Sequence, residues 1–156
     1  MARLSLVLLL CFVLAGCATT VPNATTGNEP IIRSLYEAFA RGDGAAVIGA
    51  LDPNVHWMEA ENIALADRNP YIGPQAVAEG VFGRIAQAWT DFRVTPHDFI
   101  TEADTVVVLG RYGGKFNATG RLLDAQFVHV WTMRDGRVTR FQQYADTAQF
   151  AQVASP

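Results

Sequence analysis

Cysteine is scarce in this chain of 156 residues, and both copies, Cys11 and Cys17, lie close to the amino terminus. The rest of the chain therefore has no disulfide, no thiolate nucleophile and no cysteine ligand for a metal. The three histidines, His56, His97 and His129, are far apart and lack the close spacing of a metal-binding motif. We expect no metal site.

An excess of basic residues is also missing. The chain has 12 Lys and Arg against 15 Asp and Glu, a formal net charge of −3, and no basic stripe. This balance argues against a nucleic-acid partner. The sequence contains neither a Gly-x-Ser-x-Gly elbow nor a phosphate-binding glycine loop, so it implies no cofactor. Because half of the residues are hydrophobic and only 17% are charged, we expect a folded domain.

The long apolar run at the amino terminus is typical of a targeting signal. Arg3 precedes an apolar segment from Leu4 to Leu14 that is too short to cross a bilayer as a mature helix. The run ends in Leu14-Ala15-Gly16-Cys17, which resembles the lipobox of bacterial lipoproteins; the alternative is an ordinary secretory signal with a chance cysteine. The resemblance implies a signal peptide over residues 1–16 and a lipidated Cys17. Residues 17–28 would then form a flexible tether to the membrane.

Ala18 follows the cysteine, and by the same resemblance this residue does not retain a lipoprotein in the inner membrane. We therefore expect the protein in the cell envelope, lipid-anchored and facing the periplasm, at the outer membrane. Several buried acyl chains make a stable anchor, because each buried methylene contributes about 0.8 kcal/mol.

Helical periodicity dominates the first half of the domain, which we place at residues 29–150 with a tail at 151–156. Ile32, Leu35, Tyr36 and Phe39 have the spacing of an amphipathic helix that begins near Pro30 and ends at Arg41-Gly42. A second, shorter helix follows Asp43 and ends at Asp52-Pro53. After a short strand over Val55–Glu59, a third helix runs from Pro74 to Trp89.

The second half of the domain is predicted to consist of strands. A strand over 91–100 is interrupted by Pro96, which suits an edge strand or a bulge. A long strand over 105–116 follows, and residues 122–146 form two further strands that reverse at Asp135-Gly136. The predicted order is α-α-β-α-β-β-β-β, an α+β fold.

Strict alternation along the last two strands predicts their faces. On one strand Phe127, His129 and Trp131 share a side. On the return strand Gln142, Tyr144 and Asp146 share a side, and the alternation predicts a sheet face with a histidine, aromatic rings and a carboxylate. The face of Arg111 stays open, because glycines lie beside it.

Several motifs together resemble a SnoaL-like domain of the nuclear transport factor 2-like superfamily, which includes ketosteroid isomerase, scytalone dehydratase and limonene epoxide hydrolase. They are Leu35-Tyr36-Glu37-Ala38-Phe39 with Gly42-Asp43, Val55-x-Trp57, Asn69-Pro70-Tyr71-x-Gly73-Pro74-x-x-Val77, Phe127-x-His129-x-Trp131 with Asp135-Gly136, and Tyr144-x-Asp146-Thr147. The resemblance implies a cone in which a curved antiparallel sheet wraps three N-terminal helices around an apolar pocket. It also implies a homodimer across the sheet.

The resemblance also implies site residues. Asp146 matches the general base near the end of the last strand, although it could instead cap the tail that follows or pair with an arginine. His129 would be a second acid/base group or a donor to an enolate; the alternative is a structural hydrogen bond. Glu59 is the reserve carboxylate. The predicted ligand-binding residues are Trp57, Tyr71, Phe82, Arg111, Phe127, Trp131, Gln142 and Tyr144.

Two classes of function remain open at this point. In the first, the domain isomerises, cyclises, dehydrates or hydrolyses a small apolar or aromatic molecule without a cofactor. In the second, it is a membrane-tethered, non-catalytic module for ligand binding or for dimeric interaction.

Overall fold

The computed structural model describes residues 27–155. The predicted signal peptide, Cys17 and nearly all of the tether lie outside these described residues. The described residues begin with helices α1, Asn28–Ala40, and α2, Gly44–Gly49, and continue into strand β1, Leu51–Met58. The Asp43 carboxylate accepts a hydrogen bond from the backbone N–H of Ala46 and so caps α2.

The middle of the chain contains short elements before the third helical run. A 3₁₀ helix, Ala64–Arg68, and a two-residue strand β2, Tyr71–Ile72, lead into α3, Pro74–Val77. A π-helical segment, Ala78–Phe82, and α4, Gly83–Ala88, complete this run. Gly80 is needed here, because a Cβ atom on it would lie 2.3 Å from the ring of the buried Tyr71.

Four long strands and a last helix complete the fold. Strands β3, Trp89–Glu102, β4, Thr105–Phe116, β5, Leu122–Arg134, and β6, Arg137–Ala145, are followed by α5, Thr147–Ala154. Helix α5 crosses the predicted domain boundary at residue 150, and Val153 in it is buried. No helix among the described residues is long and apolar enough to span a membrane.

The strands form one six-stranded sheet in the order β2-β1-β6-β5-β4-β3. Every neighbouring pair is antiparallel as predicted except β1 and β6, which run parallel. Strand β1 also begins earlier than predicted, at Leu51, and includes Asp52 and Pro53. Strand β3 lies at the edge and its register shifts next to Pro96, so the predicted edge position and bulge are both confirmed.

The turn between β5 and β6 is also confirmed. Arg134 pairs with Arg137, so Asp135 and Gly136 are the two residues of the loop. Their φ angles are 51° and 76°. Positive φ at both positions is the geometry of a type I′ turn, whose twist matches that of the flanking strands.

Candidate functional site

A cavity lies between the inner face of the sheet, helix α1, the π-helical segment and helix α4. The cavity volume is about 70 Å³, or about 670 Å³ when the open space at its mouth is included. Aromatic and aliphatic side chains make up most of its wall. Its polar lining residues are the tyrosines Tyr36 and Tyr112, the tryptophans, Glu59, His129 and Gln143. An occupant must therefore be small, or it must displace the half-buried rings at the mouth.

Glu59 is the acidic residue of this wall. It follows β1 directly, and its backbone is fixed because Asn69 donates to its carbonyl oxygen (2.8 Å) and accepts from its N–H (2.9 Å). The side chain is 2% exposed, and its Oε1 accepts a hydrogen bond from Trp57 Nε1 at 2.6 Å. Burial raises the pKa of Glu59 to about 7, although hydrogen bonds from Trp57 and Gln143 lower it.

His129 lies at the centre of a hydrogen-bonded chain. Its Nδ1 is 2.7 Å from the Tyr36 hydroxyl, and its Nε2 bonds to the Tyr112 hydroxyl. Tyr36 accepts from Trp131 Nε1 at 3.0 Å, and Tyr112 accepts from Gln143 Nε2 at 2.7 Å. Burial lowers the pKa of His129 to about 3, so the imidazole is neutral at ordinary pH.

The structure brings four of the predicted site residues to the cavity, together with the reserve carboxylate. His129, Trp57, Phe82 and Trp131 all line it, as does Glu59. Trp57 and Glu59 share a face, as the alternation of β1 predicts. Phe127 is buried but does not line the cavity; its ring stacks on that of His129 with 4.0 Å between centroids. Phe127 therefore supports the position of the His129 ring without lining the cavity itself.

Asp146 is not brought to the cavity. It caps α5, where its Oδ1 accepts from the backbone N–H of Gln149 at 3.3 Å, while its own N–H donates to Gln126 at 3.0 Å. This is the capping alternative considered above. Glu59 is the carboxylate that lines the cavity.

The predicted faces of β6 are wrong, and the cause is a bulge. Thr132 pairs with Arg140 while Met133 pairs with Val138, so Thr139 is an extra residue on β6. The extra residue reverses the alternation, and Phe141 and Gln143 point inward. Gln142 is half-buried and Tyr144 is 58% exposed on the opposite side. Neither lines the cavity.

Two other predicted ligand-binding residues also lie elsewhere. Arg111 is on the outer face of the sheet, where its Nε is 2.8 Å from Asp124 Oδ1. Tyr71 packs on Gly80, and its hydroxyl donates to the carbonyl of Leu65 at 2.7 Å. Tyr71 therefore helps to hold the fold together, whereas Arg111 forms an exposed ion pair.

Tyr36, Tyr112 and Gln143 were missed as site residues. Tyr36 lies on the apolar face of α1, where the helical spacing identified it only as core. Tyr112 follows Arg111 directly, and neighbouring residues of a strand point to opposite faces of the sheet. Because the face of Arg111 was left open in the sequence analysis, the face of Tyr112 was open too. Gln143 points inward only because of the bulge at Thr139 in β6, and the sequence gives no sign of that bulge. The hydrogen-bond partners of His129 could not be identified from the sequence, because they depend on the register of the strands.

Carboxyl, phenol and imidazole groups in one apolar cavity can carry out proton transfer. A carboxylate with a raised pKa is a stronger base than one in water, and neutral donors can stabilise negative charge that develops on an oxygen. Among the described residues no cluster of three or more His, Cys, Asp or Glu side chains could hold a metal ion.

Comparisons with known proteins agree with this architecture. The model of the SnoaL-like domain family matches residues 32–141, and the chain therefore belongs to that family. An uncharacterized protein of Mycobacterium tuberculosis is 29% identical over 119 residues, which is 76% of this chain and 88% of that protein.

Two solved structures share the fold closely. A nuclear transport factor 2-like protein from Burkholderia thailandensis has a TM-score of 0.79 and 28% identity, covering 83% of this chain and 98% of its own. TerC, co-crystallized with polyporic acid, has a TM-score of 0.72 and 28% identity, covering 81% and 96%. The predicted family and the predicted α+β cone are thus confirmed.

Proposed function

We propose that the domain removes a carbon-bound proton from a small, apolar carbonyl compound, without a cofactor, and that Glu59 is the base. The observation that carries this proposal is the Glu59 carboxyl, 2% exposed in an apolar cavity that it shares with His129 and two tyrosines. Isomerisation, cyclisation and dehydration can each begin with this step. The choice among them depends on the substrate.

The electrostatics of the cavity support Glu59 as the base. Neither lysine nor arginine is found among the described residues that line it, so no cation lowers the pKa of the carboxyl. A base whose pKa lies near the working pH is present in its active form and still binds the proton strongly. Glu59, with a pKa of about 7, meets that condition.

The wall of the cavity supports an uncharged, apolar or aromatic substrate. Trp57, Phe82, Trp131 and Phe141 provide large apolar surfaces, and no cation is present there to pair with an anionic group. TerC, which has a similar fold, was co-crystallized with polyporic acid.

Proton abstraction can be tested before the natural substrate is known. We would incubate the purified protein in D₂O with acetophenone and with 2-cyclohexenone and follow the loss of α-proton signals by NMR. We expect the wild type to accelerate exchange and Glu59→Gln to lose at least about 100-fold of that acceleration, the usual contribution of a general base. Asp146→Asn is the matched control and should retain exchange; loss in Asp146→Asn with retention in Glu59→Gln would assign the base to Asp146.

A non-catalytic ligand-binding module is the second candidate. It is favoured by the chain around His129, in which each polar atom already has a partner within the protein, and by the narrow interior. Acetophenone or 2-cyclohexenone would then raise the melting temperature of wild type and Glu59→Gln alike. Exchange would remain at the rate in buffer.

We also propose that Cys17 carries lipid and tethers the domain to the envelope membrane, as the lipobox resemblance implies. Metabolic labelling with an alkyne fatty acid should modify the full-length chain in its host. Cys17→Ser should abolish both labelling and membrane association. Labelling that persists in this variant would contradict the proposal.

The outer face of the sheet suits a second copy of the chain. Val107, Leu109 and Val128 are half-buried there, and Tyr144 is 58% exposed. We propose that this face forms a homodimer. Light scattering should give twice the chain mass for the wild type and a lower mass for Tyr144→Lys; a monomeric wild type at micromolar concentration would refute the dimer.

A further inference from the structure

The three tryptophans of the chain all line the cavity, but they do not use their indole N–H groups alike. Trp57 donates to Glu59 at 2.6 Å, and Trp131 donates to Tyr36 at 3.0 Å. Within the described part of the chain no hydrogen bond is found for Nε1 of Trp89. Because an indole nitrogen can only donate, the N–H of Trp89 is available to an acceptor atom of a ligand.

The unpaired N–H of Trp89 reaches open space. The side chain is half-buried, and no buried side-chain nitrogen or oxygen among the described residues lacks a hydrogen-bond partner. Nε1 of Trp89 is therefore not a buried atom, and water satisfies it in the free protein. The Glu59 side chain, by contrast, is 2% exposed. The proposed base thus lies deep in the cavity, and the free donor lies at the mouth.

The indole of Trp89 is held in place by rings from three elements. Trp89 is the first residue of β3 and pairs with Phe116, the last residue of β4. The centroid distances from its ring are 4.9 Å to Phe116, 5.4 Å to Phe92 and 6.0 Å to Phe150 on α5. These contacts restrict rotation of the indole, so the direction of its N–H is set before a ligand binds. A preorganised donor loses little conformational entropy on binding.

Aromatic rings of the cavity wall connect the mouth to the interior. The Phe92 ring contacts both Trp89 and Tyr112, with centroid distances of 5.4 and 5.5 Å. Gln143 then joins Tyr112 to the backbone N–H of the residue after Glu59. A ligand that contacts both Trp89 and Glu59 must therefore lie along this aromatic wall, which suits a flat ring.

A free donor at the mouth selects against a purely hydrocarbon ligand. Covering the Trp89 N–H with an apolar group removes its water and leaves it unpaired, which costs more than a hydrogen bond to a ligand returns. An acceptor atom of the ligand at this place restores the bond. No lysine or arginine among the described residues lines the cavity, and an ionised Glu59 repels anions, so the acceptor that fits best is uncharged.

We propose that Trp89 is a ligand-binding residue whose indole N–H donates to an uncharged acceptor of the ligand, at the end remote from the carbon that Glu59 deprotonates. The ligand is then a ring compound with a carbonyl group at its inner end and a hydrogen-bond acceptor at the mouth. This inference rests on the proposed function for the inner end of the ligand. The contact with Trp89 itself requires no proton transfer.

The free donor can be tested without any ligand. The three indole N–H groups give separate ¹H–¹⁵N NMR signals, and Trp89→Phe identifies that of Trp89 by its loss. If that variant does not fold, contacts of the indole with the Phe116 ring identify the signal in the wild type. We expect the Trp89 hydrogen to exchange with water at least about 10-fold faster than the other two, which are buried and hydrogen-bonded. Equal protection of all three would overturn the inference.

A matched pair of ketones tests the contact with the ligand. 4-Acetylbenzonitrile and 4-ethynylacetophenone have the same shape, but the nitrile nitrogen is a much better acceptor than the alkyne. The wild type should bind the nitrile about 5-fold more tightly in calorimetry, as expected for one neutral hydrogen bond. The nitrile should also move the Trp89 indole proton downfield. Equal affinities in the wild type, or binding of neither ketone, would overturn the inference.

Two variants separate the N–H group from the packing of the ring. Trp89→Phe keeps an aromatic ring but removes the donor, so the ratio of the two affinities should fall to about one. Phe116→Leu disturbs the ring that packs on Trp89 while the N–H remains, and it should keep the preference for the nitrile. Loss of the preference in Phe116→Leu with retention in Trp89→Phe would reject Trp89 as the donor.

The two proposals can fail separately. Because binding at Trp89 requires no proton transfer, Glu59→Gln should keep the preference for the nitrile. A preference for the nitrile without α-proton exchange would reject Glu59 as the base and keep the contact with Trp89. Exchange that depends on Glu59, together with equal affinities for the two ketones, would keep the base and reject the role of Trp89.

Discussion

Polar side chains are buried on one face of the sheet and exposed to water on the other, although the same strands form both faces. On the inner face Tyr112, His129 and Gln143 are buried, neutral and joined by hydrogen bonds. On the outer face Arg111, the residue before Tyr112, forms an ion pair with Asp124, and their side chains are 50% and 78% exposed. A buried polar group must find a partner or lose its charge, whereas an exposed one is satisfied by water.

The largest difference between the faces should appear when a large side chain is removed. Phe141 is 2% exposed, and its ring stacks on Trp57 with 3.8 Å between centroids. Phe141→Ala should lower the free energy of unfolding by about 3–5 kcal/mol, because it leaves a cavity. Arg140→Ala, one residue earlier on the exposed face, should stay within about 0.5 kcal/mol of the wild type. Similar midpoints for both variants in urea would contradict this placement of β6.

The next largest difference concerns the dependence of stability on pH. The pKa of Glu59 is about 7 in the folded chain against an ordinary value of 4.5, so the folded state binds the proton more tightly. Its contribution to stability therefore falls as the pH rises from 4.5 to about 7. This shift corresponds to at most about 3 kcal/mol.

His129 should act in the opposite direction. Its pKa falls from 6.5 to about 3 on folding, so its contribution is lost as the pH drops below 6.5. The two slopes therefore oppose each other between pH 4.5 and 6.5. Urea titrations of Glu59→Gln should show stability falling toward acid, and those of His129→Gln should show it falling toward neutral pH. Parallel profiles in both variants would disprove the assigned burial.

A smaller effect should come from filling two glycine positions on β4. A Cβ atom on Gly110 would lie 2.2 Å from the ring of Phe127 and 2.5 Å from the carbonyl oxygen of Thr95. On Gly113 it would meet only the end of the Arg93 side chain, at 3.0 Å. Gly110→Ala should cost about 1–3 kcal/mol through overpacking. Gly113→Ala should unfold at nearly the wild-type temperature. A larger loss of stability in Gly113→Ala than in Gly110→Ala would contradict this prediction.

The smallest effect should come from the outer ion pair. Arg111→Ala removes the partner of Asp124, but water and salt already screen this pair. We expect a melting temperature indistinguishable from that of the wild type at moderate salt and a slight decrease at low salt. A decrease that persists at high salt would mean that Arg111 contributes through packing.

The local patterns that predicted elements correctly were those decided by short-range physics. Asp135 and Gly136 adopt positive φ at low cost, so the hairpin follows from two residues. Pro96 cannot donate to a central ladder, and β3 lies at the edge. The spacing of Ile32, Leu35 and Tyr36 predicts the buried face of α1, and all three are buried. Motifs spread from Leu35 to Thr147 predicted the family, whose model matches residues 32–141.

The site residues were predicted less well, because their faces depend on pairing between distant strands. Val138, Arg140 and Gln142 alternate in sequence as one face, yet the extra residue Thr139 on β6 turns Phe141 and Gln143 inward. The carboxylate chosen from the family pattern, Asp146, caps a helix instead. The one inside the cavity follows β1, whose parallel pairing with β6 had no local signal in the sequence.

The sequence by itself determined the first helix, the four long strands, the turn at Asp135-Gly136 and the family of this protein, because caps, turns and apolar periodicity act between residues close together along the chain. Only the tertiary structure decided that Glu59, His129, Tyr36 and Tyr112 share one apolar cavity. Their environment depends on strand register and burial, and these are fixed by contacts between residues far apart in the chain.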